Sequence, residues 1–171
     1  MSDQKRKGIY LLPNLLTTAG LFSGFFAVVS SMNGRFEAAA VAIFVAMIFD
    51  GLDGRVARMT NTQSDFGAEY DSMADMVTCG VAPGIILAQL FVMAGNKPFE
   101  IAIGWPLNAI VEFIPWVFIG FLIPLGAAFR LARFNIDGSK KNHFLGLPTP
   151  ATAMFFGGLP LLMKLPAFSF L

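Results

Sequence analysis

Eight residues between Asp50 and Asp75 carry the chemistry that is legible in this chain. The stretch reads DGLDGRVARMTNTQSDFGAEYDSMAD, and Asp50, Asp53, Asp71 and Asp75 fall into two pairs at the ends of apolar runs long enough to cross a bilayer. A charge at membrane depth costs at least about 2.5 kcal/mol, so such carboxylates are functional candidates by default. In a helix, Asp50, Asp53, Gly54, Ala57 and Arg58 fall at i, i+3, i+4, i+7 and i+8, which is one stripe. Gly67, Asp71 and Asp75, at steps of four, make a facing stripe on a second helix. Two such helices on a short loop aim four carboxylates and a guanidinium into one volume.

Clustered carboxylates repel, and hard divalent cations with oxygen ligands let them all stay ionised. Mg2+ or Mn2+ fits this donor set, and two such ions can clamp a diphosphate for an in-line displacement. The lack of a His or Cys cluster argues against zinc, since the chain has one His and one Cys. Gly54 and Ala57 leave room for a nucleotide or phosphate to approach the backbone. Arg58 suits a phosphate oxygen. An acidic helix-loop-helix connection that merely caps helix ends is the competing reading, but the small residues and Arg58 on the same stripe have no capping purpose.

The elements that position these residues follow from composition. Hydrophobic residues make up 56% of the 171 and charged residues 13%, with 19 phenylalanines, which is more apolar surface than one small core can hide. The expected fold is an all-α, polytopic membrane helical bundle of five spans, forming one domain over residues 1–171. The first span runs from Leu11 to Ser31, retained rather than cleaved because it exceeds a signal peptide's apolar core. Its Gly20 and Gly24 form a GxxxG pair suited to packing within the chain or to a homodimer seam. Asn14, Thr17 and Thr18, near the basic tail, are either interfacial polar residues or donors to a bound head group.

Asn33-Gly34 is a turn signal, after which Phe36 to Met59 reads as the second helix, Thr60 to Ser64 as a polar break and Phe66 to Met93 as the third helix. Phe99 to Glu112 reads as an interfacial segment, Phe113 to Phe129 as the fourth span, Arg130 to His143 as a basic loop and Thr149 to about Leu165 as a fifth span. Cys79, alone in an apolar run, reads as a small buried hydrophobe. With the N-terminus inside, nine cations (Lys5, Arg6, Lys7, Arg55, Arg58, Arg130, Arg133, Lys140 and Lys141) are cytoplasmic and three (Arg35, Lys97 and Lys164) external. That asymmetry predicts a protein of the cytoplasmic membrane with its N-terminus and acidic motif facing the cytoplasm. A basic stripe of the kind that binds nucleic acid is absent from the sequence.

The motif DxxDGxxAR, then eight residues, then GxxxDxxxD, is matched here at all eight specified positions and resembles the signature of the CDP-alcohol phosphatidyltransferases. The resemblance implies that Asp50, Asp53 and Asp71 are metal ligands, that Asp75 is both ligand and general base, and that Gly54, Ala57, Arg58 and Gly67 contact CDP and its diphosphate. Asn14 and Thr17 join that nucleotide set. It further implies a CDP-linked lipid as donor, an alcohol as acceptor and CMP as leaving group, within a membrane lipid environment.

Three segments, GIYLLPNLLTTAGLFSGF, FRLARFN and FLGLPTPATA, are similar to the bacterial and archaeal phosphatidylserine synthases. That similarity implies CDP-diacylglycerol and L-serine as substrates. Arg130 and Arg133, at i and i+3, are then candidates for the serine carboxylate, with a positive-inside anchoring role as the alternative. Asn135 and the Gly146 to Pro150 turn read as loop geometry. Glycerol phosphate or inositol phosphate is the rival acceptor, and a divalent-cation transporter the rival of another class. Members of the family have six or more spans against five here, which implies C-terminal helices missing from this sequence.

Overall fold

The computed structural model describes residues 3–95, 99–103, 109–137 and 149–163. They form a helical membrane bundle: α1 (Asp3–Met32), α2 (Phe36–Met59), α3 (Asp65–Asp75), a π-helical segment (Met76–Val81), α4 (Ala82–Met93), strands β1 (Phe99–Ile103) and β2 (Ala109–Phe113), α5 (Val117–Asp137) and α6 (Thr149–Met163). Among the described residues, three stretches are long and apolar enough to cross a membrane: Leu11–Met32, the continuous rod Asp65–Met93, and Val117–Asn135. α2, with 24 residues, is about 36 Å long. Its length suffices to span, but its last turns carry the charged motif. α6 is a shorter apolar helix of 15 residues.

Most boundaries follow the sequence signals. α1 ends at Asn33-Gly34, where Gly34 takes φ +70, Arg35 N–H donates to Ser30 O at 2.9 Å and the Asn33 amide donates to Val29 O at 2.7 Å. A positive φ there is open to glycine at no steric cost. α2 and α3 are joined by five residues that leave little slack. Thr60 Oγ1 donates to Val56 O at 2.7 Å, Thr62 N–H to Ala57 O at 3.0 Å, and Ser64 Oγ accepts from Gly67 N–H at 3.0 Å as the N-cap of α3.

Two boundaries are corrected, and the segment expected at the interface gains secondary structure. Residues 99–103 and 109–113 form an antiparallel pair, Phe99 opposite Phe113 and Ile103 opposite Ala109, as the β-branched and aromatic residues of FEIAI and AIVEF favour. The fourth span starts at Val117 rather than Phe113, because β2 takes Phe113 and Pro115 sits in the turn before the helix. α5 continues to Asp137, so Arg130, Arg133 and Asn135 are helical and the basic loop cannot begin at Arg130. Lys97, Lys140, Lys141, His143, the Gly146 to Pro148 part of the expected turn, Lys164 and the side chains of Lys5, Arg6 and Lys7 lie outside the described residues.

Small side chains make up most of the buried interior, beside larger ones such as Ile43, Ile86 and Phe36, and many large ones lie on the surface. Ala27, Ala39, Ala42, Ala46, Cys79, Ala82 and Ala153 are buried, whereas Phe22, Phe25, Phe118, Phe121 and Phe155 are exposed. In lipid the tails solvate large apolar groups as well as a core does, so association rests on close backbone approach. Gly20 faces Ala46 and Phe49 of α2, and Gly24 faces Thr78 of the π segment, so the GxxxG pair packs within the chain. A close backbone approach joins α4 and α5: a Cβ on Gly120 would stand 2.5 Å from the Gly84 carbonyl oxygen. Gly120→Ala is therefore expected to destabilise the bundle by about 1–3 kcal/mol, lowering its melting temperature in detergent. Gly126→Ala, with nothing within 4 Å of the added carbon, is the matched control and should melt like the wild type.

Candidate active site

α2 and α3 bring Asp50, Asp53 and Asp71 together, one carboxylate oxygen of each lying within 4.8 Å of the others. Asp53 is 4% exposed. Its Oδ2 accepts from the Thr17 hydroxyl at 2.5 Å, the Pro13 carbonyl being 3.2 Å from the same hydroxyl. A void of about 10 Å³ lies among Thr17, Asp50, Asp53, Asp71, Asp75 and Thr78, walled by Gly20, Ala46 and Ala74. Three anionic oxygens around a void of about one water's size fit a hard divalent cation. Neutral or soft ligands are not in this trio, so the chemistry of the donor set favours Mg2+ or Mn2+ over zinc.

Asp75 stands apart from the trio. It lines the same void, one turn further along the helix, where its Oδ1 accepts from Cys79 Sγ at 3.8 Å. Cys79 is buried, as its apolar run implies.

Beside the trio opens a cavity of about 600 Å³ that shares Thr17, Asp53 and Asp71 with the void. Every candidate for the nucleotide set lines it: Asn14, Thr17, Gly54, Ala57, Arg58 and Gly67. Gly54 has nothing within 4 Å of its missing Cβ, which leaves the cavity wall open there. Gly67 has another reason to be small, since a Cβ would press to 3.1 Å from the Ser64 Oγ that caps α3. Thr62, Gln63, Ser64 and Phe134 also line the cavity and were not legible as site residues. The polar composition of the α2–α3 connection was the one signal for the first three.

The two arginines separate. Arg130 lines a second cavity of about 350 Å³ between α4, α5 and α6, with Cys79, Thr149 and Thr152. Its Nη1 is buried without a hydrogen-bond partner among the described residues. Cys79 lines this cavity and touches Asp75, which makes the second cavity a neighbour of the acidic void. Arg133 is exposed and does not line it. Asn135, expected in a loop, instead ties α5 to α3: its Nδ2 donates to Glu69 Oε2 at 2.9 Å, and Ser72 Oγ donates to its Oδ1 at 3.3 Å. Thr18 Oγ1 lies 3.0 Å from Tyr70 Oη, a further α1–α3 link.

A helical bundle that gathers carboxylates at an ion-sized void beside an arginine-lined cavity can hold a divalent cation next to an anionic ligand. The chain belongs to the CDP-alcohol phosphatidyltransferase family, whose sequence profile matches residues 10–171. Among its curated relatives are the CDP-diacylglycerol–serine O-phosphatidyltransferase of Helicobacter pylori, 38% identical over 148 residues, and the archaetidylserine synthase of Methanothermobacter thermautotrophicus, 32% identical over 157. The matches take in 85% and 90% of this chain but 55% and 59% of those proteins, so the chain spans little more than half their length. The CDP-diacylglycerol–serine O-phosphatidyltransferase of Bacillus subtilis is 32% identical over 143 residues, 84% of this chain and 71% of that protein.

Mn2+ is expected to raise the melting temperature of the detergent-solubilised chain, and EDTA to reverse the rise. Asp71→Asn should abolish the Mn2+ effect, and Thr17→Val should weaken Mn2+ about tenfold, the usual cost of removing a group that orients a metal ligand. A Thr17→Val chain that binds Mn2+ like the wild type would mean that the hydroxyl does not hold Asp53.

Proposed function

We propose that this protein transfers the phosphatidyl group of CDP-diacylglycerol to L-serine, releasing CMP. The observation that carries this reading is the continuity of the three-carboxylate void with a cavity bearing Arg58 and the open wall at Gly54. The Helicobacter and Bacillus relatives are named as serine transferases, which supports serine as the acceptor.

Asp50, Asp53 and Asp71 would hold the divalent ions, two in this reading, with Asp75 completing the ligand set. Bound there, Mg2+ or Mn2+ supplies neutralisation of the diphosphate charge and stabilisation of the leaving oxygen. Arg58 pairs with a phosphate oxygen through its planar fork, and Gly54, Ala57 and Gly67 leave the diphosphate room to lie against the helices. Asn14 donates to the nucleotide side, and Thr17, whose one hydroxyl proton goes to Asp53, lies on the same wall as an acceptor. Serine enters beside Arg130, whose unpaired Nη1 receives the carboxylate, and Arg133, one turn on, adds positive charge at the entrance. Asp75 takes the hydroxyl proton as the serine oxygen attacks the lipid-side phosphorus and the bond to CMP breaks. A positioned carboxylate contributes about 10^2- to 10^4-fold in such a role.

A CMP-release assay over a panel of alcohols tests the assignment. Serine should support release and glycerol phosphate or inositol phosphate should not. Asp50→Asn should be at least about 100-fold slower, because it removes one charge from the metal site. Arg130→Ala should raise the KM for serine far more than that for CDP-diacylglycerol, whereas equal effects on both would reduce Arg130 to a topological anchor.

The orientation belongs to the same proposal: the excess of Lys and Arg on one side puts the N-terminus and the site on the cytoplasmic face of the cell membrane. Lys140→Cys should then react with a membrane-impermeant thiol reagent from the cytoplasmic side alone. Labelling from outside would overturn the topology.

A further inference from the structure

The wall of the 600 Å³ cavity is built almost entirely from α1, α2, α3 and the α2–α3 connection. One described residue comes from elsewhere: Phe134, in the last turn but one of α5. It is also the one aromatic ring among the described residues on that wall, the others being carboxylates, small residues, amides, hydroxyls, a proline and the Arg58 guanidinium. Phe134 is 63% exposed, so its ring is available to whatever enters.

The placement is not left to a swinging helix end. Asn135, the next residue, is pinned to α3 from both ends of its amide, to Glu69 Oε2 at 2.9 Å and Ser72 Oγ at 3.3 Å. Those partners flank Asp71, one of the three carboxylates of the void, so the clamp fixes the α5 ring relative to the carboxylates. A ring held in this way beside a phosphate-binding wall suits a ligand with an anionic part and a flat aromatic part. A phosphate offers nothing to a phenyl face, whereas every nucleobase has a π face that stacks on one.

We propose that Phe134 is the platform on which the base of the nucleotide substrate stacks, with Asn135 as the positioning residue that holds it there. The inference rests on the nucleotide reading above and adds to it a residue, outside the acidic motif, that discriminates a nucleoside diphosphate from a bare diphosphate.

The test compares CDP with inorganic pyrophosphate as ligands of the detergent-solubilised full chain in Mg2+, by calorimetry. Phe134→Ala should weaken CDP at least about tenfold and leave pyrophosphate unchanged, and Phe134→Trp should restore CDP. Parallel loss of both ligands would make Phe134 a structural wall. No change in either would make it a lipid-facing ring, and each of these results overturns the platform. A wild-type chain that holds CDP no more tightly than pyrophosphate would overturn the nucleotide reading itself, and the platform with it.

Discussion

Everything in this bundle depends on holding like charges together at the contact of two helices. Carboxylate oxygens within 4.8 Å of one another repel by at least about 3 kcal/mol per ionised pair at an effective dielectric of 20. The fold opposes that repulsion with covalent and steric constraint. A five-residue connection with its own hydrogen bonds joins the two acidic helices, Ser64 caps the second, and Gly20, Ala46 and Ala74 let the backbones close around the void. A divalent cation converts the same geometry from a cost into a binding site, because each carboxylate then faces a positive charge rather than another negative one. The acidic cluster and the small residues around it are therefore one device.

The same logic extends outward through the bundle. Alanine, glycine and cysteine make up much of the interior beside a few larger groups such as Ile43 and Ile86, while most phenylalanines lie outside, so tight approaches such as Gly84 to Gly120 help decide where the helices sit. The π-helical segment from Met76 to Val81 lies where α1, α3, α4 and α5 converge, with Gly24 against Thr78 and Gly80 against Pro124 and Ala127. A widened turn is a common insertion beside functional sites. Here it begins at the residue after Asp75 and contains Cys79, the side chain that touches both Asp75 and the second cavity.

How much of this was legible in the sequence depended on how local the interaction is. The stripe of Asp50, Asp53, Gly54, Ala57 and Arg58 is set by helical periodicity, and the short connection leaves α3 one place to go, so the carboxylate trio and most of the cavity wall could be read from spacing. Asp75 shares a stripe with Asp71 but stands four residues on, about 6 Å along the axis, so it lines the same void beside Cys79 without joining the close group of three oxygens. The α5 residues were least legible. Asn135 meets partners 63 and 66 positions earlier in the chain, and no periodicity within FRLARFN encodes that meeting. The hairpin was missed for a different reason: Trp105, Pro106 and two acids in 99–112 suggested the membrane interface and masked the short strand pattern.

This division between local and remote has a consequence for specificity. The residues proposed to hold metal and diphosphate fall within 26 consecutive positions, Asp50 to Asp75, and are positioned by two helices and the loop between them. Arg130, Phe134 and Asn135 belong to α5, which reaches the site by packing on the π segment and α4 and by the amide clamp on α3. A change in α5 can therefore alter the cavity wall at Phe134 without moving the carboxylates. The reverse does not hold, because Glu69 and Ser72, the anchors for α5, flank Asp71 on the same helix. Any shift of α3 that disturbs the acidic trio also displaces the ring and the cavity that lie across from it, so the geometry of the ion site sets the geometry of the rest.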